Sequence, residues 1–242
     1  AVSALTGEIT DPRTWGPPPP LDVPSEFIID ADLIIPPPGN GASVEIARGP
    51  NIKPLPLGQP LAQTIKAPVL IKLGDNVSTD HILPAGSKIL PLRSNIPAIS
   101  EYVFYYVDPE FPAKAKEAGS SIIVGGSNYG QGSSREHAAL APMFLGVRAV
   151  LAKTYARMHH TNLVNFGILP LVFAAEADYD RINAGDVLEL PDVRDALAGG
   201  EVTVRNTTQG YDFTARHNLS ERQIEVLREG GLLNHVRLTP AS

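Results

Sequence analysis

Cysteine is absent from this 242-residue sequence. That excludes disulfides, a thiol nucleophile, thiolate zinc sites and any iron–sulfur cluster ligated by this chain. A basic excess is also missing: 20 Lys and Arg stand against 26 Asp and Glu, a net charge of −6. Nucleic acid is therefore not an expected partner, since its binders carry a basic face. Long apolar runs are lacking too. The longest, residues 168–175, falls far short of the ~18 residues a membrane span needs, so no membrane partner is expected. Residues 1–6 show no basic region followed by an apolar core, so they do not read as a secretory signal, and a cytoplasmic location is expected. The chain opens on Ala1 rather than Met, which suggests a fragment of something longer.

What is present is ordinary soluble composition, 43% hydrophobic and 19% charged. A chain of this length can bury roughly 70% of its unfolded surface. Proline is concentrated early: 14 of the 23 prolines lie in residues 1–70, including runs at 17–20 and 36–38. Such runs favour polyproline II and neither continue a helix nor donate to a sheet. Residues 1–66 read as an extended linker, with the apolar pieces 27–29 and 33–35 expected to dock on a surface. Residues 67–242 read as one α/β domain. Strands are expected at 69–73, 121–124, 148–152, 168–173 and 187–190, with a hairpin of 202–204 and 211–214. Helices are expected at 136–145 and 154–163, and a last one from Ser220 to the Gly230-Gly231 stop. Strands alternating with helices, then mainly strands, predict a mixed sheet flanked by helices.

The densest chemistry lies in Gly125-Gly126-Ser127-Asn128-Tyr129-Gly130-Gln131-Gly132-Ser133-Ser134-Arg135-Glu136-His137, between a strand and a helix. Four glycines permit close backbone approach, and a helix start favours an anion. Ser133 and Glu136 also fit a capping box, and spacing alone does not choose between cap and anion site. The segment is neither a Walker A loop nor G-x-G-x-x-G. A second segment, Gly74-Asp75-Asn76-Val77-Ser78-Thr79-Asp80-His81-Ile82 with Pro84-Ala85-Gly86, places Asp80 beside His81 after a strand; turn chemistry alone accounts for its acids and amide. Arg93 is either a solvated charge or a bidentate carboxylate fork. His159 and His160 are adjacent and do not share a helix face, so they are discounted as a metal pair, as are His217 and His235.

Taken together, Ser78-Thr79-Asp80-His81-Ile82, the run Asn128 to Leu140 with its Gly132-Ser133-Ser134-Arg135-Glu136-His137 core, and Ala156-Arg157-Met158-His159-His160-Thr161-Asn162-Leu163 resemble the aconitase family. The match is to its C-terminal swivel domain, over roughly residues 69–238. Thr10-Asp11-Pro12-Arg13 and Arg48-Gly49-Pro50-Asn51-Ile52-Lys53 resemble the segment that joins the third domain to the swivel domain in a bacterial aconitase subgroup.

The resemblance implies a swivelling β/β/α domain behind a Pro-rich linker, and citrate–isocitrate isomerisation through cis-aconitate. Ser133 would be the base that removes the carbon-bound proton, with Asp80 and His81 as further catalytic candidates. Arg93, Ser134 and Arg135 would bind the tricarboxylate substrate. The [4Fe–4S] cluster would sit on domains missing here, so this chain would bind no cofactor, pair with cluster-bearing N-terminal domains and be inactive alone. The small subunit of a two-chain isopropylmalate or homoaconitate isomerase is the second reading, and a non-catalytic module binding a small acid or a partner the third.

Overall fold

Alternating apolar residues in seven short segments produce the strands that organise this chain. A computed structural model describes residues 1–239. It divides into two units, Ala1–Ala47 and Arg48–Ser242. The first holds one short helix, α1 (Val2–Thr6), and 3₁₀ turns at Pro12–Trp15 and Gly41–Ser43. None of these elements buries a residue. Phe27, Ile28 and Ile29 are exposed, as are Leu33, Ile34 and Ile35, so nothing within this unit covers them. A five-residue helix and proline-broken chain offer no apolar face to receive them.

The second unit runs β1 (Ile65–Lys72), α2 (Thr79–Ile82), α3 (Ile96–Ser100), α4 (Phe111–Ala118), β2 (Ser121–Gly125), α5 (His137–Phe144), β3 (Val147–Ala152) and α6 (Arg157–Asn165). It continues with β4 (Leu169–Phe173), α7 (Ala177–Arg181), β5 (Val187–Leu190), α8 (Val193–Ala196), β6 (Glu201–Asn206), β7 (Tyr211–Arg216), α9 (Glu221–Arg228) and α10 (Leu232–Leu238). The expected mixed sheet is present, and it closes into a barrel in the order β1-β2-β3-β4-β7-β6-β5. Strands β1 to β4 are parallel neighbours, whereas β5, β6 and β7 join by antiparallel pairing.

Two apolar clusters follow from the period-2 alternation. Ile122 and Val124 of β2, Ala149 and Leu151 of β3, and alternate residues of the other strands fill the barrel interior. Ile123 and Val150 point the other way, against Ala138, Ala139 and Leu163 of α5 and α6. In β1 the register slips between Val69 and Ile71, so Val69 faces the barrel and Ile71 the helices.

Two helices differ from the sequence expectation. α6 starts at Arg157 rather than 154, because Tyr155 forms a bridge with Tyr129. Beyond Gly230 and Gly231 the chain turns into α10, where α9 was expected to be last. No helix among the described residues is long and apolar enough to cross a membrane.

Candidate active site

Parallel strands send their carboxyl ends the same way, so the segments that follow β1, β2 and β3 meet at one rim of the barrel. Side chains and backbone lock them together. Asp75 Oδ1 accepts the Ser127 N–H at 2.7 Å, and Asn128 Nδ2 donates to Asn76 Oδ1 at 3.0 Å. The turn residues of the second motif thus bind one loop to another. The Thr154 hydroxyl accepts the Asn128 N–H at 2.7 Å, which brings in the segment after β3.

The glycine-rich loop is laid along the start of α2. The N–H groups of Gly130 and Gln131 both donate to the Val77 carbonyl, and the Thr79 N–H donates to the Gln131 carbonyl at 2.9 Å. Thr79, 2% exposed, donates its hydroxyl to the Ser133 carbonyl at 3.0 Å. Gly130 has φ +80°, and a Cβ there would lie 2.2 Å from the His159 ring. Only glycine fits that close, left-handed position.

Ser133 is exposed in the loop, and its hydroxyl makes no hydrogen bond among the described residues. It was expected at a helix N-terminus; α5 instead begins at His137, with Glu136 as an N-cap that makes no side-chain cap bond. The Ser133–Glu136 capping box does not form, because Thr79 holds the Ser133 carbonyl and Gly132, at φ +99°, turns the chain away from a helical start. Capping boxes form at Ser78–His81 and Ser220–Gln223. His81, an exposed catalytic candidate, uses its Nδ1 to accept the Ser78 N–H at 3.1 Å.

Ser133, Ser134 and Arg135 line a recess of about 260 Å³ with Thr79 and His159. Ser134 and Arg135 also line an adjoining recess of about 440 Å³ that contains Arg93 and His137. The structure therefore gathers Ser133, Ser134, Arg135 and Arg93 along one continuous edge. His137 Nε2 donates to the Arg93 carbonyl at 2.8 Å and ties that loop to α5. Asp80 is ion-paired with Arg135, and this bond holds the Asp80 carboxyl below the usual carboxylate range.

Thr79, His159 and Asn162 line the Ser133 recess but were not among the sequence candidates. His159 is 2% exposed and neither ring nitrogen has a protein partner. Burial lowers its pKa to about 4, so it is neutral near pH 7. The signal was available: His159 and Asn162 stand three residues apart on a helix, hence on one face.

The Aconitase C-terminal domain family matches residues 105–176. The 3-isopropylmalate dehydratase small subunit 2 of Archaeoglobus fulgidus is 40% identical over 69% of this chain and 91% of its own length. The chain belongs to the aconitase C-terminal domain family. In that family, the 3-isopropylmalate dehydratase structure from Methanocaldococcus jannaschii superposes with a TM-score of 0.59 at 30% identity, over 72% of this chain and 93% of that one. The mitochondrial homocitrate dehydratase of Saccharomyces cerevisiae is 36% identical over 81% of this chain. The mitochondrial aconitate hydratase of Candida albicans is 31% identical over 95% of it. This chain spans 29% and 33% of the length of those two proteins.

The iron–sulfur cluster implied by the family resemblance does not fit this chain. There is no thiolate to bind iron, and among the described residues no three His, Asp or Glu side chains converge on one point.

Proposed function

We propose that this chain is the swivel domain of an aconitate hydratase and supplies the base and part of the substrate site for citrate–isocitrate isomerisation. The observation that carries this reading is the shared edge of Ser133, Ser134, Arg135 and Arg93. Ser133 Oγ, as an alkoxide, takes the carbon-bound proton of the substrate and becomes a neutral hydroxyl. A serine alkoxide needs positive charge nearby. Arg135 is the cation two residues along the same loop, and Asp80 orients its guanidinium. A substrate carboxylate competing with Asp80 for Arg135 would couple binding to activation of Ser133. Arg93 and Ser134 hold the remaining carboxylates, and His81 keeps the turn that carries Asp80 in shape.

The cluster lies on other domains of the same protein, so this chain alone is inactive. Residues 1–66 join the two parts. Their likeness to a bacterial connecting segment and a cytoplasmic location belong to the same reading. The Candida albicans alignment supports it: 95% coverage takes in most of residues 1–66. A second reading, the small subunit of a two-chain isopropylmalate isomerase, is supported by the 91% coverage of the Archaeoglobus subunit.

Arg93 separates the two. Its guanidinium is exposed and has no ion-pair partner among the described residues, which suits a third carboxylate and not an isopropyl group. A charge-assisted bond contributes about 1.5–3 kcal/mol, roughly ten- to a hundred-fold. In the enzyme containing the cluster-bearing part, Arg93→Lys should lower kcat/KM for isocitrate by about that factor and leave the unfolding midpoint in place. Preference for isopropylmalate over isocitrate in the unmutated enzyme would assign the second reading.

A further inference from the structure

A second crevice opens on the far side of the α6 N-terminal turn, with a volume of about 630 Å³. That is an ordinary size for a small-molecule site. Lys153, Arg157, His160, Arg216 and His217 line it, and no carboxylate does. Three fixed cations, Lys153, Arg157 and Arg216, on one crevice stand out in a chain of net charge −6. It also lies at the carboxyl end of β3, the end of a parallel strand at which α/β sheets hold their ligands.

The cations are weakly committed. Arg157 has no ion-pair partner among the described residues. Lys153 stands over the Tyr179 ring at 4.7 Å and reaches the Glu176 carboxylate only at 4.0 Å. Arg216 pairs with Glu201 at 2.9 Å, but both side chains are more than half exposed, where such a pair is easily exchanged. Arg157, His160 and Thr161 share one face of α6 at i, i+3 and i+4.

We propose that this crevice binds a small polyanion carrying at least two negative groups, bridged between Arg157 on α6 and Lys153 and Arg216 on the barrel rim. The site is separate from the Ser133 edge, with which it shares only Arg157. Phosphate esters and polycarboxylates share the required chemistry. Burial lowers both His160 and His217, so both are poised to respond to an arriving anion.

The test titrates the 242-residue chain with pyrophosphate and, separately, with citrate at fixed chloride ionic strength. The ring Cε1–H resonances of its six histidines are followed by NMR. Saturable shifts at His160 and His217 are expected. Lys153→Gln should weaken binding about tenfold and Arg216→Gln, at an exposed position, severalfold. Tighter binding of pyrophosphate assigns a phosphate ligand; tighter binding of citrate assigns a polycarboxylate. Shifts confined to His81, His137 and His159 would place the anion at the Ser133 edge, overturning this inference while supporting the proposed function. Absence of saturable shifts at His160 and His217 with either anion would overturn it outright, as would unchanged affinity in both variants.

Discussion

Gly130→Ala probes the contact on which the Ser133 loop rests. Gly130 sits at φ +80°, and an added methyl would lie 2.2 Å from Cγ and Cδ2 of His159. The left-handed conformation costs an alanine about 1–2 kcal/mol. Forcing a methyl into a filled space adds about 1–3 kcal/mol. The substitution should therefore destabilise the chain by about 2–5 kcal/mol in a denaturant titration, a large fraction of the usual 5–15 kcal/mol. The steric part can be isolated, because it comes from the His159 side chain, the ring atoms at 2.2 Å and the Cβ at 2.5 Å. His159→Gly alone opens a cavity, removes the crowding Cβ and is destabilising, but in the double variant the new methyl has room. The pair should be less destabilised than the sum of the singles by about 1–3 kcal/mol. Additivity within about 0.5 kcal/mol, or a Gly130→Ala protein as stable as the parent, would refute the close packing of loop on helix.

Thr79→Val removes the hydroxyl that holds the Ser133 carbonyl and keeps the side-chain shape. Stability should fall by about 1 kcal/mol, and kcat of the whole enzyme by much more than that implies, since a displacement near 1 Å can cost about 100-fold; steady-state kinetics beside thermal unfolding checks this. His159 titrates near 4 in the folded chain and near 6.5 when unfolded, so the native state binds fewer protons between those values. Its contribution is complete above about pH 6.5 and is lost as pH falls toward 4, about 3 kcal/mol in all. His159→Phe should flatten that part of a stability–pH curve.

Much of the fold was legible because it rests on local pattern. Residues 121–124 and 148–152 alternate or run apolar between glycine-rich breaks, and the strands appear there within a residue. The hairpin of β6 and β7 was legible for the same reason. Closure of the sheet was not, because the pairing of β1 with β5 joins residues more than 100 positions apart and leaves no local signature. The site was legible as a motif but not as a geometry. Ser133 and Glu136 have capping-box spacing, yet a threonine 54 positions away keeps that box from forming. At Ser78, the box closes with the His81 ring, a partner the usual Glu or Gln pattern does not flag. Asp80 and Arg135 meet only because parallel β1 and β2 deliver their loops to the same rim.

The proposed function stands on Ser133 as the base that removes the carbon-bound proton. The most direct measurement is Ser133→Ala in the complete enzyme, read by both isocitrate turnover and exchange of the substrate's carbon-bound hydrogen with deuterated water. Loss of a general base should lower both rates by about 10²–10⁴-fold, with KM and the unfolding midpoint little changed. Deuterium exchange and turnover at the parent rate in that variant would exclude Ser133 as that base.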